Sequence, residues 1–204
     1  MYNFLHLQAV IESIKDRGTC TVFKGTHFRT FDGKLYAFVG SCKYQLIGDC
    51  RSNSFGIRLK NTVNENDVAL KRITMKFGKT RVDLQSNKNT KVNDKIVDLP
   101  YRLSDKIEIT ETEESVSVAS KMGIKVFWNY VGLLELTVSH SYRKKLCGLC
   151  GNFNSEINDD FTTREGILVD DAATFAQSWS MDEACWDTRK YGVRGCNPKN
   201  DQRY

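Results

Sequence analysis

The sequence is poor in proline and histidine, with 2 and 3 residues respectively among 204. This low proline content, together with only 14 glycines, excludes a collagen-like chain and disfavours a proline-rich disordered one. No apolar run approaches the roughly 18 residues that a membrane-spanning helix requires. A glycine-rich phosphate loop is missing, and His140 lacks the Gly-x-Ser-x-Gly context of a hydrolase nucleophile. The sequence therefore predicts a protein that is neither an enzyme nor membrane-spanning.

Cysteine is the residue that the chain has in excess, with 7 copies. A cytosolic protein of this length usually carries fewer, so we expect an extracellular, oxidising environment. An odd number means that at least one thiol is free or pairs with a residue outside this sequence. Residues 1–19 lack the basic segment and the cleavage site of a secretory signal. We therefore expect the chain to be a piece of a longer secreted protein.

Alternating apolar and polar residues extend from Cys20 to about Ser139 and predict β-strands. Turn-forming residues such as Gly78 and Gly123 separate these runs at intervals of about ten residues. Short strands at this spacing, with no helical pattern between them, predict a mainly β protein built as an antiparallel β-sandwich. The alternating apolar positions are Phe55, Ile57, Leu59, Ile73, Met75, Phe77, Val82, Leu84, Ile107, Ile109, Val116, Val118, Ile124, Val126, Leu134, Leu136 and Val138.

A helical pattern appears only near the carboxyl end of this region. Asp170 and Asp171 can accept hydrogen bonds from the first turn of a helix, and Phe175, Ala176 and Trp179 then share one helical face. We expect a short C-terminal helix at this position.

The segment from Cys147 to Asp160 combines thiols with closely spaced side-chain oxygens, the ligands that a hard cation such as calcium prefers. It is not an EF-hand, because Ile157 and Thr163 stand where that loop needs glycine and glutamate. Taken alone, the residues leave two interpretations open: a calcium loop, or a solvated turn, since Asn and Asp favour turns anyway. The oxygen-bearing residues are Asn152, Asn154, Glu156, Asp159 and Asp160.

The Cys147-x-x-Cys150 motif also allows more than one interpretation. A tetrahedral zinc site is disfavoured, because no second ligand pair lies at a suitable spacing. A thioredoxin-like dithiol should begin a helix, whereas a polar, acidic loop follows here. Two structural half-cystines are the favoured interpretation, and thiol–disulfide exchange stays open.

Several motifs follow one another along the chain. They are Cys20, Thr30-Phe31-Asp32-Gly33, a cysteine-bearing strand from Tyr36 to Leu46, Cys147-Gly148-Leu149-Cys150-Gly151-Asn152-Phe153-Asn154, Phe175-Ala176-Gln177-Ser178-Trp179 and Cys185. In this order they resemble the von Willebrand factor type D domain. The resemblance implies a type D domain over residues 20–186. Residues 1–19 would be an N-terminal flank, and residues 187–204 would be the start of a truncated eight-cysteine module.

The same resemblance implies a bound Ca²⁺ ion and a disulfide pattern. The calcium ligands would be Asp32, the side chains of Asn152, Asn154, Asp159 and Asp160, and the backbone carbonyl of Glu156. The disulfides would join Cys20 to Cys150, Cys50 to Cys147 and Cys42 to Cys185, leaving Cys196 unpaired.

Within the family, the position of Cys50, the strand at Phe55 and the approach to Cys147 are similar to crossveinless-2, the BMP-binding endothelial regulator. This implies a calcium-binding module of a secreted regulator of BMP signalling that acts as a platform for extracellular proteins. BMP itself would bind upstream modules that this sequence lacks. Two alternatives stay open: a structural module of a mucin-like or matrix glycoprotein, and a thiol–disulfide exchange module acting through Cys147-x-x-Cys150.

The net charge is +5, and Arg143-Lys144-Lys145 is the densest basic cluster. Further cations lie on predicted strands, among them Arg72 and Lys76. Such residues either solvate a face or attract an acidic polysaccharide, so Arg143, Lys144 and Lys145 are candidates for binding heparan sulfate. Nucleic acid is disfavoured as a partner, because no recognition motif is present.

Overall fold

The computed structural model describes residues 17–64, 67–104 and 106–182. Within these ranges the chain forms fifteen β-strands and one α-helix, with single 3-10 turns at His140–Tyr142 and Ile157–Asp159. The strands are β1 Arg17–Phe23, β2 His27–Arg29, β3 Leu35–Ala37, β4 Lys43–Asp49, β5 Phe55–Asn64, β6 Asp67–Phe77, β7 Thr80–Gln85, β8 Thr90–Val92, β9 Lys95–Ile96, β10 Tyr101–Leu103, β11 Ile107–Glu111, β12 Ser115–Ser120, β13 Ile124–Asn129, β14 Leu133–Ser139 and β15 Leu146–Cys147, and the helix is α1 Ala172–Ser178.

The strands form two sheets. The first has the order β10-β11-β12-β13-β14-β1-β2-β3, and the second has the order β15-β4-β5-β6-β7-β8-β9. Every hydrogen-bonded pair of neighbouring strands is antiparallel. The predicted mainly β, antiparallel two-sheet architecture is therefore confirmed.

The core follows directly from the period-two pattern, because alternate residues of a strand point to opposite faces of the sheet. In β5 and β6, Ile57, Leu59, Ile73 and Met75 have no exposed surface, and their polar neighbours face outwards. Each such side chain contributes about 1.5–3 kcal/mol on leaving water. The buried side chains of both sheets form one continuous cluster.

One predicted element needs correction. The segment from Tyr36 to Leu46 resembled a single strand, but β3 ends at Ala37 and β4 begins at Lys43, and the two strands belong to different sheets. Between them lies Gly40, where an added Cβ would lie 2.1 Å from the hydroxyl oxygen of Tyr44. The chain crosses from one sheet to the other here, and glycine allows the close approach.

The C-terminal helix α1 is present as predicted. Asp171 is its N-cap and accepts a hydrogen bond from the backbone N–H of Thr174 at 2.7 Å, while Phe175, Ala176 and Trp179 are buried. No helix in the described ranges is long and apolar enough to cross a bilayer. At the other end of the domain, β1 begins at Arg17, three positions before the predicted domain start at Cys20.

Candidate functional site

The Cys147-x-x-Cys150 segment connects the two sheets. β15 pairs with β4 at the edge of the second sheet, and the backbone N–H groups of Leu149 and Cys150 then donate to the carbonyls of Gln45 and Leu46 at 3.1 and 3.0 Å. Gly148 has a φ of +123°, and an added Cβ would lie 2.7 Å from a backbone oxygen of β4. The motif therefore needs glycine between its cysteines to lie this close to β4.

Two disulfides fix this segment on both sides. Cys50 is bonded to Cys147 next to the second sheet, and Cys20 of β1 in the first sheet is bonded to Cys150. These are two of the three pairs that the resemblance implies. Their sequence separations are 97 and 130 residues, so each constrains the unfolded chain by about 4–5 kcal/mol in the chain-entropy model.

The remaining cysteines are only partly described. Cys42 takes part in a disulfide, whereas Cys185, its expected partner, lies outside the described residues. The same holds for Cys196, for residues 1–16 of the predicted flank 1–19, and for the predicted eight-cysteine segment at residues 187–204. Those assignments stay predictions.

Asp32 lies in a tight turn between β2 and β3. Thr30 closes the turn, because its backbone N–H donates to the carbonyl of Lys34 and its hydroxyl accepts from the N–H of Lys34. The Asp32 carboxylate then accepts hydrogen bonds from the backbone N–H groups of Asn154 and Ser155 at 2.9 and 2.7 Å. The structure thus brings Asp32 into the loop that follows Cys150, as the predicted ligand set requires.

The loop residues meet around Asp159. The side-chain amides of Asn152 and Asn154 donate to its two carboxylate oxygens at 3.0 and 2.7 Å. Glu156 donates its backbone N–H to the Oδ1 of Asn154 at 2.7 Å, and its carbonyl accepts from the N–H of Asp159 at 3.4 Å. All five predicted loop residues therefore lie on one short, internally hydrogen-bonded turn.

Asp160 points inwards and is almost fully buried, at 2% exposure. Its Oδ2 accepts a hydrogen bond from the hydroxyl of Thr30 at 2.6 Å. Burial raises the pKa of Asp160 to about 6; the Thr30 hydrogen bond opposes this, and the negative charges of Asp32 and Asp159 add to it. Three carboxylates thus lie in one small region. Among the described residues, none of the three forms an ion pair with a cationic side chain.

Two oxygen atoms of this region have no hydrogen-bond donor. They are the buried Oδ1 atoms of Asn152 and Asp160. Buried oxygens without donors, next to three mutually repelling carboxylates, are chemically suited to a divalent cation. Within the described residues, no group of three or more acidic, histidine or cysteine side chains could hold a metal ion by itself, so a cation here would also need amide and backbone oxygens.

A cavity of about 460 Å³ lies beside this loop. It extends from the Cys50–Cys147 disulfide past Asn152 and Asp160 to Trp179. The side-chain amide of Gln45 lies 3.5 Å from the Sγ of Cys147, and the Nε1 of Trp179 is buried without an acceptor. The cavity is therefore bordered both by the disulfide and by the loop carboxylates Asp159 and Asp160.

The basic cluster before Cys147 is largely committed within the molecule. The Arg143 guanidinium donates to the carbonyl of Asn154 at 3.2 Å and to the hydroxyl of Ser155 at 2.5 Å, and the Lys145 ammonium donates to the carbonyl of Ser141 at 2.8 Å. Arg143 thus holds the outer side of the loop. A role for Arg143, Lys144 and Lys145 in binding heparan sulfate stays a prediction.

Sequence reasoning missed two contributors to this site. Thr30 was not singled out, although it precedes Asp32 in the Thr-Phe-Asp-Gly motif and its hydroxyl contacts Asp160. Phe153 was quoted only as part of a motif, yet its ring fills the space beside Gly18, where an added Cβ would lie 2.6 Å from it. The signal available in the sequence for Thr30 was its hydroxyl, two positions before the predicted ligand Asp32.

Comparison with known proteins assigns a family. The model of the von Willebrand factor type D domain matches residues 20–167. Mucin-5B of Homo sapiens is 31% identical over 179 residues, covering 84% of this chain and 3% of that protein. Zonadhesin of Mus musculus is 31% identical over 173 residues, covering 82% and 3%, and alpha-tectorin of Homo sapiens is 30% identical over 193 residues, covering 90% and 9%.

The chain thus spans less than a tenth of the length of these relatives. The finer resemblance to crossveinless-2 gains no support from the comparisons. The domain is extracellular. The chain belongs to the von Willebrand factor type D domain family.

Proposed function

We propose that this domain is a calcium-stabilised structural module of a secreted mucin-like or matrix glycoprotein, without catalytic activity of its own. The observation that carries the proposal is the pair of buried, donor-free oxygens on Asn152 and Asp160, beside the carboxylates of Asp32 and Asp159. The relatives in mucins, zonadhesin and alpha-tectorin support the structural role. Its partners would be other extracellular proteins.

The cation would be held by Asp32, Asn152, Asn154, Asp159 and Asp160, with the backbone carbonyl of Glu156. When bound, Ca²⁺ would neutralise the negative charge of the carboxylates and would coordinate the buried oxygens that accept no hydrogen bond. The amides of Asn152 and Asn154 now direct their N–H₂ groups at Asp159, and half a turn of an amide exchanges its nitrogen and oxygen. Asn152 can make this turn at no cost in hydrogen bonds to its oxygen, because its Oδ1 accepts none, whereas the Oδ1 of Asn154 already accepts the backbone N–H of Glu156.

The chain itself holds the loop in place on three sides. Asp32 accepts the backbone N–H groups of Asn154 and Ser155, Arg143 contacts the same two residues, and the disulfide to Cys20 fixes the start of the loop. Because these restraints come from the chain itself, the loop is preorganised, and less ordering is needed when a ligand binds.

The test is thermal unfolding of the oxidised protein with Ca²⁺ or with a chelator. A ligand bound only by the native state at 100 times its Kd adds about 2.7 kcal/mol, which corresponds to a rise of about 5–10 °C in Tm for a domain of this size. Asp160→Asn should abolish the difference between the two conditions. Asp98→Asn, at an exposed position outside the loop, is the matched control and should keep it.

Equal Tm values with calcium and with chelator in the parent protein would overturn the calcium assignment. A rise produced equally by Mg²⁺ would point to non-selective charge neutralisation, because Mg²⁺ demands a smaller, octahedral site. If the calcium effect persisted in Asp160→Asn, the ion would bind at residues other than those proposed.

The two narrower functions have separate tests. Regulation of BMP signalling rests on the resemblance near Cys50 and Phe55. It predicts that a full-length protein carrying the expected upstream modules binds a BMP in a pull-down.

Thiol–disulfide exchange is favoured by the cavity beside the Cys50–Cys147 disulfide. Non-reducing peptide mapping should find Cys147 and Cys150 bridged to Cys50 and Cys20, with one reactive thiol at Cys196; reduced Cys147 and Cys150 would favour exchange.

A further inference from the structure

The outer face of the second sheet carries a row of cations. Lys43 of β4 is paired in register with Lys60 of β5, and Lys60 is paired with Arg72 of β6. Neighbouring strands lie about 4.8 Å apart, so the three positive charges follow one another over about 10 Å. Like charges directly opposite one another destabilise a sheet, so this arrangement is unfavourable for the isolated domain.

Further cations extend this row along the strands. Arg58 lies two positions before Lys60 in β5, Lys76 is paired with Arg81 across β6 and β7, and Lys79 lies in the turn that joins those strands. Together with Arg81, the cations line a shallow groove of about 330 Å³. We define the basic sheet face as Lys43, Arg58, Lys60, Arg72, Lys76 and Lys79.

Acidic groups do not neutralise this face. Arg81 forms ion pairs with Asp83 and Asp94 at 2.7 and 3.3 Å, so Arg81 is already compensated. Asp182 lies at the rim of the groove, where its carboxylate accepts the backbone N–H of Lys43 at 2.8 Å. Among the side chains that the structure describes, which do not include those of residues 63–68, no ion pair joins any of the six cations of the basic sheet face to a carboxylate.

We propose that the basic sheet face binds a linear sulfated polysaccharide. Cations spaced about 5 Å across the strands and about 7 Å along them match a partner with many closely spaced negative groups on one extended chain. The large apolar side chains that the described residues expose all lie elsewhere, and a protein partner would need such anchors. Charge complementarity in a groove lined by cations, without exposed apolar anchors, therefore favours a polysaccharide over an acidic protein.

This surface is separate from the proposed calcium loop. Its cations lie on β4, β5, β6 and the turn before β7, whereas the loop follows β15. Binding to the polysaccharide should therefore persist in the presence of a chelator. It should also be independent of Arg143, Lys144 and Lys145, two of which donate hydrogen bonds within the molecule.

The experiment measures the affinity of the oxidised protein for heparin, as a probe, over a range of salt concentrations. The sheet variant carries Lys43→Gln, Lys60→Gln and Arg72→Gln. Its Kd near physiological salt should rise at least about tenfold, equivalent to about 1.4 kcal/mol. The slope of log Kd against log salt concentration should also fall, because fewer bound counterions are released on binding.

Two variants of equal charge serve as comparisons. The distributed control carries Lys95→Gln, Lys106→Gln and Lys125→Gln, three exposed cations outside the basic sheet face. The rival variant replaces Arg143, Lys144 and Lys145 with Gln. Both should retain the parent affinity within about twofold and the parent salt slope, if the sheet face is the site.

Folding of each variant is checked by its Tm. Removing like charges that face one another should leave the Tm of the sheet variant unchanged or raise it, so a loss of binding in a folded sheet variant reports the site itself. Equal losses in the sheet variant and the distributed control would mean that only net charge matters, and this would overturn the proposal. The proposal would also fail if only the rival variant lost binding, or if the parent protein did not bind heparin near physiological salt. It would fail too if unsulfated polyglutamate competed for the protein as well as heparin does.

Discussion

Asp49 offers a sharp test of how the turn between β4 and β5 is stabilised. Its buried carboxylate accepts hydrogen bonds from the backbone N–H groups of Arg51 and Ser52, both at 3.1 Å, and from the hydroxyls of Ser52 and Ser54. Burial raises the pKa of Asp49, but these hydrogen bonds together outweigh burial and hold the pKa below its ordinary value. The ionised carboxylate is therefore the form that the fold stabilises.

Replacing Asp49 with asparagine should lower the free energy of unfolding at pH 7 by about 1.5–3 kcal/mol. Asparagine has the same size as aspartate but no charge. Its N–H₂ group would replace one carboxylate oxygen and face hydrogen-bond donors that need an acceptor. For a domain of this size, the loss corresponds to a fall of about 3–10 °C in Tm.

The effect should depend on pH with a defined sign. The pKa of Asp49 is lower in the folded protein than in the unfolded chain, where it is about 3.9. Its stabilisation is therefore complete above the unfolded value and is lost as the pH falls through the folded value. Because asparagine does not titrate, the difference in stability between parent and variant should narrow as the pH is lowered.

The assay is urea-induced unfolding at pH 7 and at about pH 2.5, with the midpoints compared at unchanged m-values. Asp98→Asn, at an exposed aspartate, controls for the loss of one carboxylate and should shift the midpoint little. A difference below about 0.5 kcal/mol at pH 7, or one that keeps its size in acid, would refute the reasoning.

Three further substitutions test the fold by their effect on thermal unfolding. Leu136→Ala removes a fully buried side chain from β14 and should lower the free energy of unfolding by about 2–5 kcal/mol. Val131→Ala, at a position that is 75% exposed, should lower it hardly at all, and equal effects would contradict the described core. Asp171→Ala removes the N-cap of α1 and should cost about 1 kcal/mol, and an unchanged Tm would show that the cap is dispensable. Gly148→Ala brings a Cβ to 2.7 Å from a backbone oxygen, whereas Gly166→Ala enters open space at a comparably positive φ, so the first should lower the Tm clearly more than the second.

The sequence predicts the strands well because the two faces of each strand differ in chemistry. From Phe55 to Leu59 in β5 and from Ile73 to Phe77 in β6 every second residue is apolar, and the structure buries those same residues. The order of the strands was out of reach, since β1 pairs with β14 across most of the chain and no local pattern reports that contact. The break between β3 and β4 was missed for the same reason: Gly40 matters only once Tyr44 lies beside it.

The candidate site was predictable where its chemistry is contiguous. Asn152 to Asp160 form a dense run of oxygens, and the structure keeps them on one turn. Asp32 lies far away in the sequence and entered the site only through the resemblance. Arg143 was named as a candidate for binding heparan sulfate, which stays a prediction. The hydrogen bonds from its guanidinium to the loop could not be predicted, because charge spacing does not reveal internal contacts.

The arrangement of covalent and ionic restraints indicates how the loop and the sandwich depend on one another. The disulfides to Cys20 and Cys50 fix the segment before the loop to both sheets, and they do so regardless of any ion. Asp160 is the buried end of the loop, and its contact with Thr30 reaches the turn that carries Asp32. Loss of an ion should therefore loosen residues 152–160 first while the sheets stay paired, because local opening costs less than global unfolding where covalent links hold the flanks. In the oxidised protein, loss of the ion also removes its binding free energy and so lowers the Tm. When the disulfides are reduced as well, the carboxylate repulsion at Asp160 would act on an unrestrained segment and lower the stability of the domain further.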